Sequence, residues 1–493
     1  MTILIDHLIS SMIGVPFIGI AILAFIRDEK SIKRIAFGIT VVEFFLSLIL
    51  WRGFDFNLES MQFVERVEWM PTFNIQYAVG VDGISIVLVL LTTLLFPICI
   101  LCSWTSIKTR LRAFLSLILL VEGAMIVVFT ALDLFLFFML WETTLIPMYF
   151  IIILWGGPNR VAAGLKFVLY SLAGSLLLLV GILGVYLNGG DTFDILVLTE
   201  QTYSSSTQSW LFLAFFLSFA IKMPMVPFHT WLPEAHSEAP TAGSVILAGV
   251  LLKMGGYGFL RFCLPMFPEA SVNFAPYILW LSVIGIIYGG YMALAQSDLK
   301  KLIAYSSVSH MGFVTLGIFV FNSQGIQGAV LQMFNHGVTA AALFLCVGQL
   351  YDRTHNRAIS NYGGLHKPMP RFAALFFLFS VASFGLPGTC NFIGEFLVLV
   401  GTSYISLAMV LISMGGIILA AAYMLWMLQR VVLGEPKTEA AKVLPDLSNR
   451  ELGTLIPLAI LVLFIGLYPR PLMELMDASV INLIHQTTGM KIG

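Results

Sequence analysis

Six ionisable side chains stand in stretches of sequence that hold no other Asp, Glu, Lys, Arg or His. Glu142 lies in LFFMLWETTLIPMYF, Lys222 in FLSFAIKMPMVPF and Lys253 in LAGVLLKMGGYGFL. His310 lies in SSVSHMGFVTL, His336 in LQMFNHGVTAAALF and Glu395 in NFIGEFLVLV. If these stretches cross a bilayer as helices, a centred Asp, Lys or Arg carries an insertion penalty of ~2.5–3.5 kcal/mol. Any one of the six could be a packing residue: a lone histidine in a bundle is often simply satisfied, and a Lys–Glu pair can fix register. Six on six helices at similar depth need a common reason. Carboxylates, amines and imidazoles take up and release protons, and an amine in an apolar cavity is tuned by any carboxylate beside it. Glu142 and Lys222 are therefore read as one coupled unit.

The remaining motifs narrow the chemistry further. No GxGxxG opens a strand–helix unit, no P-loop occurs, and no cysteine set suits an iron–sulfur cluster. The five cysteines, at 99, 102, 263, 346 and 390, sit in or beside apolar runs, so neither a disulfide framework nor a metal site is indicated. Cys99 and Cys102 form a CxxC inside a span, without the second half a metal site needs. Haem between His310 and His336 is disfavoured by the neighbouring Ser306, Ser307, Ser309 and Asn335, which suit a hydrogen-bonded relay. The carried species is most simply a proton, and electron chemistry belongs to other chains.

Such groups need membrane helices to position them. Of 493 residues, 59% are hydrophobic and 11% charged, with mean hydropathy +0.94. A soluble domain carries about a quarter charged residues, so a soluble enzyme is excluded, and a net charge of -1 gives no support to nucleic-acid binding. Apolar runs fall at 3–26, 31–51, 80–103, 113–131, 134–155, 163–187, 210–231, 241–264, 275–296, 301–321, 325–350, 372–400, 405–430 and 452–469. That makes fourteen spans, with no connection long enough for a soluble domain. The N-terminal run carries Asp6 and no basic segment, so it reads as a retained span rather than a signal peptide. With both ends outside, nineteen Lys and Arg fall on inner connections and five (Arg52, Arg66, Arg261, Arg470 and Lys491) on outer ones. That asymmetry follows the positive-inside rule. Asp298, Lys300 and Lys301 lie at an inner connection and read as a solvated ion-pair face.

Two spans are interrupted. Pro224 and Pro227 follow Lys222, and the long span before Glu395 contains SFGLPG at 383–388. Proline removes a backbone donor and clashes one turn back, and irregular backbone at membrane depth is tolerated only where protein buries it or a watered cavity meets it. Broken helices at corresponding places in two halves mark a repeat-built transporter. Five spans separate these two, so the halves run in opposite directions. The expected fold class is all-α and polytopic, with two inverted five-helix repeats (spans 4–8 and 9–13). Its expected divisions are 1–110 (helices 1–3), 111–265 (first repeat), 270–430 (second repeat) and 431–493 (helix 14 and a tail).

Residues 221–258, IKMPMVPFHTWLPEAHSEAPTAGSVILAGVLLKMGGYG, resemble the signature of the antiporter-like subunits of respiratory complex I and of multisubunit cation/proton antiporters. ALDLFLFFMLWE at 131–142, SDLKKLIAYSSVSHMG at 297–312 and FNHGVTAAALF at 334–344 agree with it, and the resemblance covers about 110–430. It implies that Glu142 and Lys222 are the input pair, Lys253 the central lysine, Glu395 the distal exit group, and His310 and His336 the relay. Glu122, in LLVEGAMIVVF, matches a further acidic site by motif only. GEF places Glu395 where most related subunits carry lysine, which favours one branch of the family, and the short stretch after 469 speaks against the member that continues into a long lateral helix. The resemblance implies a proton-translocating subunit of NADH:quinone oxidoreductase with no redox centre of its own. FMN, iron–sulfur clusters, NADH and quinone are expected in partner subunits. Expected partners are neighbouring antiporter-like chains, the lateral helix of chain L, the peripheral redox arm and lipid, with a bacterial cytoplasmic membrane as the location and a mitochondrial inner membrane as the alternative. Alternatives are a stand-alone sodium/proton antiporter subunit, a related membrane-bound hydrogenase subunit, or an inert scaffold whose charges fix register.

Overall fold

In lipid every backbone N–H and C=O must be satisfied within the chain, and a helix does so locally. The computed structural model describes residues 7–437 and 439–489, and its crossings are helices throughout. Asp6, Lys491 and the first residues of the first expected span lie outside the described residues. In chain order the helices are α1 (Leu8–Phe25), α2 (Glu29–Gly53), α3 (Gly83–Cys102), α4 (Leu111–Thr130), α5 (Leu134–Trp155) and α6 (Arg160–Asn188). Then follow α7 (Ser205–Lys222), α8 (Trp231–Glu238), α9 (Thr241–Met266), α10 (Pro268–Leu294), α11 (Leu299–Ile318) and α12 (Ser323–Thr354). The last are α13 (Pro370–Ser383), α14 (Cys390–Ser403), α15 (Leu407–Val431), α16 (Asn449–Leu467) and α17 (Arg470–Thr488). Among the described residues eleven helices are long and apolar enough to cross a membrane alone. The α7/α8 pair, the α13/α14 pair and the polar α11 complete fourteen crossings, and the protein is a multi-pass membrane protein.

The two five-helix sets run from α4 to α9 and from α10 to α15, each with its break in the fourth crossing. Burial separates centre from rim. The apolar windows of α9 and α12 are wholly buried, whereas α1, α2 and α15 bury a third or less. The two central helices carry Lys253 and His336. α12 packs against α11, α14 and α9, so the second set closes round the same centre.

Two elements differ from the sequence reading. The connection before α3 is not irregular: β1 (Gln62–Met70) and β2 (Ile75–Val81) form an antiparallel hairpin turned at Asn74, whose φ of +52° asparagine tolerates. β2 absorbs the first residues assigned to the third span, and Asp82 then starts α3 through a capping box with Ser85. The stretch after 469 is not a mere tail but the 19-residue α17. Its buried Leu475, Met476, Val480, Leu483 and Ile484 share one face against α3 and α12, and its polar face is too large for a span. Ser479 Oγ accepts the Gly83 N–H at 2.8 Å.

Connections of each side meet. Residues of five connections expected inside (Ser106, Gly157, Glu238, Lys300, Arg357 among them) line one cavity of about 150 Å³. Residues of connections expected outside (Glu59, Glu200, Pro265) join Asp82, Arg261 and Ser479 around another of about 300 Å³. A miscounted span would mix the two sets.

Candidate functional site

The α7 helix ends at Lys222 because Pro224 and Pro227 cannot continue it; the Val226–Pro227 peptide is cis. The break frees the Ile221 carbonyl, which accepts the Trp231 Nε1–H at 2.8 Å. Lys222 is thus a helix-terminal lysine, buried, with its ammonium 5.2 Å from the Trp141 ring centroid and 5.9 Å from that of Phe167. Cation–π attraction in a dry site holds a lysine usefully. Glu142 stands next to Trp141 on α5, half-buried, with Oε1 lacking a hydrogen-bond partner. The expected input pair is therefore electrostatically adjacent but not closed into an ion pair: the ammonium rests on the ring, not on the carboxylate.

Lys253 lies in α9 between two π-helical turns, Leu247–Leu251 and Phe259–Cys263. π turns are rare and cluster at functional sites. The Lys253 ammonium donates to the Ala248 carbonyl of the first π turn and to His336 Nδ1 at 2.9 Å. With Nδ1 accepting, a neutral His336 carries its proton on Nε2, which has no hydrogen-bond partner. The His336 and His310 ring centroids are 5.7 Å apart. His310 Nδ1 lies 2.7 Å from Glu395 Oε1, and Gln332 Nε2 donates to the same oxygen at 2.9 Å. Ser383, the last residue of α13, stands 3.4 Å from His310 Nε2. Lys253, His336, His310 and Glu395 thus make one line of proton-exchanging groups, all buried. Glu142 and Lys222 stand beside its near end without a direct hydrogen bond to it.

Glu122 is not on this line. It is fully buried in α4, both oxygens lack partners, and the acid that faces it is Glu43 of α2, equally buried and unpartnered. Glu43 was legible by the rule that found the six, as a carboxylate in TVVEFFLSL, but was not singled out. His236 in α8 was also missed. It is wholly buried, both ring nitrogens lack partners, and it stacks on Phe344 at 4.6 Å with 7° between planes. Ser237 and Glu238, its neighbours in sequence, line the inner cavity, and Lys300 and Lys253 are the cations that act on it. Lys300 corrects the reading of a solvated ion-pair face: it is buried and donates to the Ala239 carbonyl at 2.6 Å. Asp298 instead reaches Arg357 at 3.4 Å, and Arg357 reaches Glu238 at 3.5 Å. The charges link the inner connections to one another, with Lys300 buried and the Asp298–Arg357 pair partly exposed.

The cysteines are unbridged, and among the described residues no group of three metal-ligating side chains converges. The arrangement can move protons along a buried line, by hydrogen bonds from Lys253 to His336 and from His310 to Glu395.

Comparison with known proteins bears on this arrangement. The family model described as NADH:quinone oxidoreductase/Mrp antiporter, TM matches residues 131–422. NADH-ubiquinone oxidoreductase chain 4 of Chondrus crispus is 49% identical over 95% of this chain and 96% of its own length. NADH-quinone oxidoreductase subunit M of Rhodobacter capsulatus is 46% identical over 97% of each. Among solved structures, a chain of respiratory complex I from Thermus thermophilus superposes with a TM-score of 0.87 at 31% identity, covering 98% of this chain and 100% of that one. A chain of the Mrp complex from Dietzia sp. DQ12-45-1b gives the same TM-score of 0.87 at 20% identity, over 99% and 98%, and speaks to the fold alone.

Proposed function

Because the chain belongs to the transmembrane family shared by NADH:quinone oxidoreductases and Mrp antiporters, we propose that it is the proton-translocating M-type (chain 4) subunit of an NADH:quinone oxidoreductase. The observation that carries the reading is the buried line Lys253–His336 and His310–Glu395, held across four crossings with contacts of 2.9 and 2.7 Å. The nearness in sequence of subunit M and chain 4 relatives favours this over a sodium/proton antiporter, a hydrogenase subunit or an inert scaffold.

The mechanism follows from two corresponding pairs. In each five-helix set the second crossing faces the broken fourth: Glu142 with Lys222, and His310 with Glu395. The first pair is apart and the second joined, which we take as the two positions of one device. Bringing Glu142 against Lys222 changes one charge contact at ~4 Å, worth ~4 kcal/mol at an effective dielectric near 20. That exceeds the ~2.3 kcal/mol per charge that opposes export at 100 mV. When the pair separates, Lys222 passes its proton toward Lys253. Neighbouring helix axes stand ~8–10 Å apart, so water bridges that gap. Protons reach the centre from the inner cavity by way of His236, and the relay carries them to Glu395.

Electron transfer from NADH to quinone takes place in partner subunits, where FMN and iron–sulfur clusters reside. This chain's own groups only hold and move protons. Its partners are the neighbouring antiporter-like chains, the lateral helix of chain L and, through the complex, the redox arm, in a bacterial cytoplasmic membrane. Replacing Lys222 or Glu142 by alanine is expected to lower pumping about a hundredfold, the usual scale for losing a positioned proton-transfer group, while the complex still assembles. Parental pumping in both variants sinks the reading. Sodium-dependent transport without NADH oxidation selects the antiporter instead.

A further inference from the structure

Lys253, Tyr257 and Arg261 follow one another at i, i+4 and i+8 on α9, one face of the helix from the membrane centre to the outer cavity. Arg261 is nearly closed off, and its guanidinium reaches Asp82 Oδ2 at 2.6 Å while Nε donates to Tyr257 Oη at 3.2 Å. Tyr257 in turn donates to the Phe129 carbonyl at 3.1 Å, with the guanidinium 5.3 Å from its ring centroid. Asp82 is committed twice: Oδ1 caps α3 through the Ser85 N–H at 2.9 Å, and Oδ2 holds Arg261. The outer cavity of about 300 Å³ ends on this pair. The second π turn of α9, Phe259–Cys263, contains Arg261, so the arginine sits on a stretch of helix that can change register between π and α winding.

We propose that Asp82, Arg261 and Tyr257 form an outer gate over Lys253, a second way out for protons besides Glu395 that is held shut by a fixed positive charge. A cationic arginine at a constriction repels hydrated protons, so the closed gate stops protons returning from the outer side to Lys253. Opening it requires Arg261 to leave Asp82, and Asp82 stays anchored to α3 by its capping contact. The idea rests on the reading of Lys253 as a member of the proton line, and its test separates the two.

Intact complex carrying Arg261→Gln is reconstituted in liposomes and, with no NADH present, its passive proton leak under an imposed pH gradient is followed with a pH-sensitive dye. The leak is expected to rise roughly thirtyfold, the Boltzmann factor for a unit charge ~8 Å from the path at an effective dielectric near 20. Arg261→Lys, which keeps the charge and the ion pair, is expected to stay closed; Asp82→Asn keeps a capping side chain but releases Arg261 from the constriction, and is expected to leak. Adding Lys253→Ala to Arg261→Gln is expected to abolish the leak. A parental leak in both Arg261→Gln and Asp82→Asn overturns the gate, and so does a leak that survives Lys253→Ala. Should Arg261→Gln fail to assemble, Asp82→Asn alone decides. Failure of the underlying reading shows separately, as normal pumping in Lys253→Ala alone.

Discussion

Lys253 donates at once to a backbone carbonyl of its own helix and to His336, and those two contacts define where a proton can go next. At the far end Glu395 takes His310 and Gln332 on a single oxygen. Glu395→Gln keeps the shape and loses the charge, and is expected to slow pumping about a hundredfold, the lower end of the range for proton-transfer groups. Proton release measured with a pH dye checks this, and a parental rate contradicts it. Outside the spans, burial pushes the Asp133 carboxyl up to about 6, against the N–H groups of Gln76, Leu136 and Phe135 that favour its charged form. An acid whose folded value is raised adds stability below its ordinary value and loses it as pH climbs through the folded value. Stability in detergent is therefore expected to fall between about pH 4 and 6, by about 1–2 kcal/mol after allowance for partial exposure, with the Tm falling alongside it, and to lose that slope in Asp133→Asn. The six groups of the site were legible because a charge in an apolar run is conspicuous. His236 was not, because PEAHSEAP reads as a polar connection and only the fold turns it inward. That Lys222 rests on Trp141 rather than Glu142 is a matter of rotamers and packing, which no spacing encodes.

Among the elements, the broken crossings were readable from proline and glycine, down to their position. The hairpin and α17 were not, since a count of apolar runs is blind to a short alternating strand pair and to an amphipathic helix that lies along a face. The second break turns on Gly385 and Gly388, with φ of +76° and +91°. A side chain in that region costs about 1–2 kcal/mol. A Cβ at Gly388 meets only Leu467 at 3.9 Å, whereas one at Gly385 stands 3.4 Å from Glu395 Oε2. Gly388→Ala is thus expected to lower stability alone, and Gly385→Ala to lower stability and pumping together. Equal pumping in the two variants, at equal Tm loss, contradicts the link between the break and Glu395.

For the whole molecule, the fourteen-span alternation gathers one set of connections round each cavity, and charge alone assigned which is inside. Lys30→Cys, in the first turn of α2, is expected to react with a membrane-impermeant thiol reagent only from the inner side, and Glu68→Cys, in β1, only from the outer side. Labelling on the same side would break the alternation. The deeper claim is that this chain's own buried line moves the protons. It is tested most directly by reconstituting the complex with Lys253→Ala and measuring protons translocated per NADH oxidised. The complex is expected to assemble with a proton yield well below the parent's; a parental yield at the parental rate would contradict a proton line through Lys253.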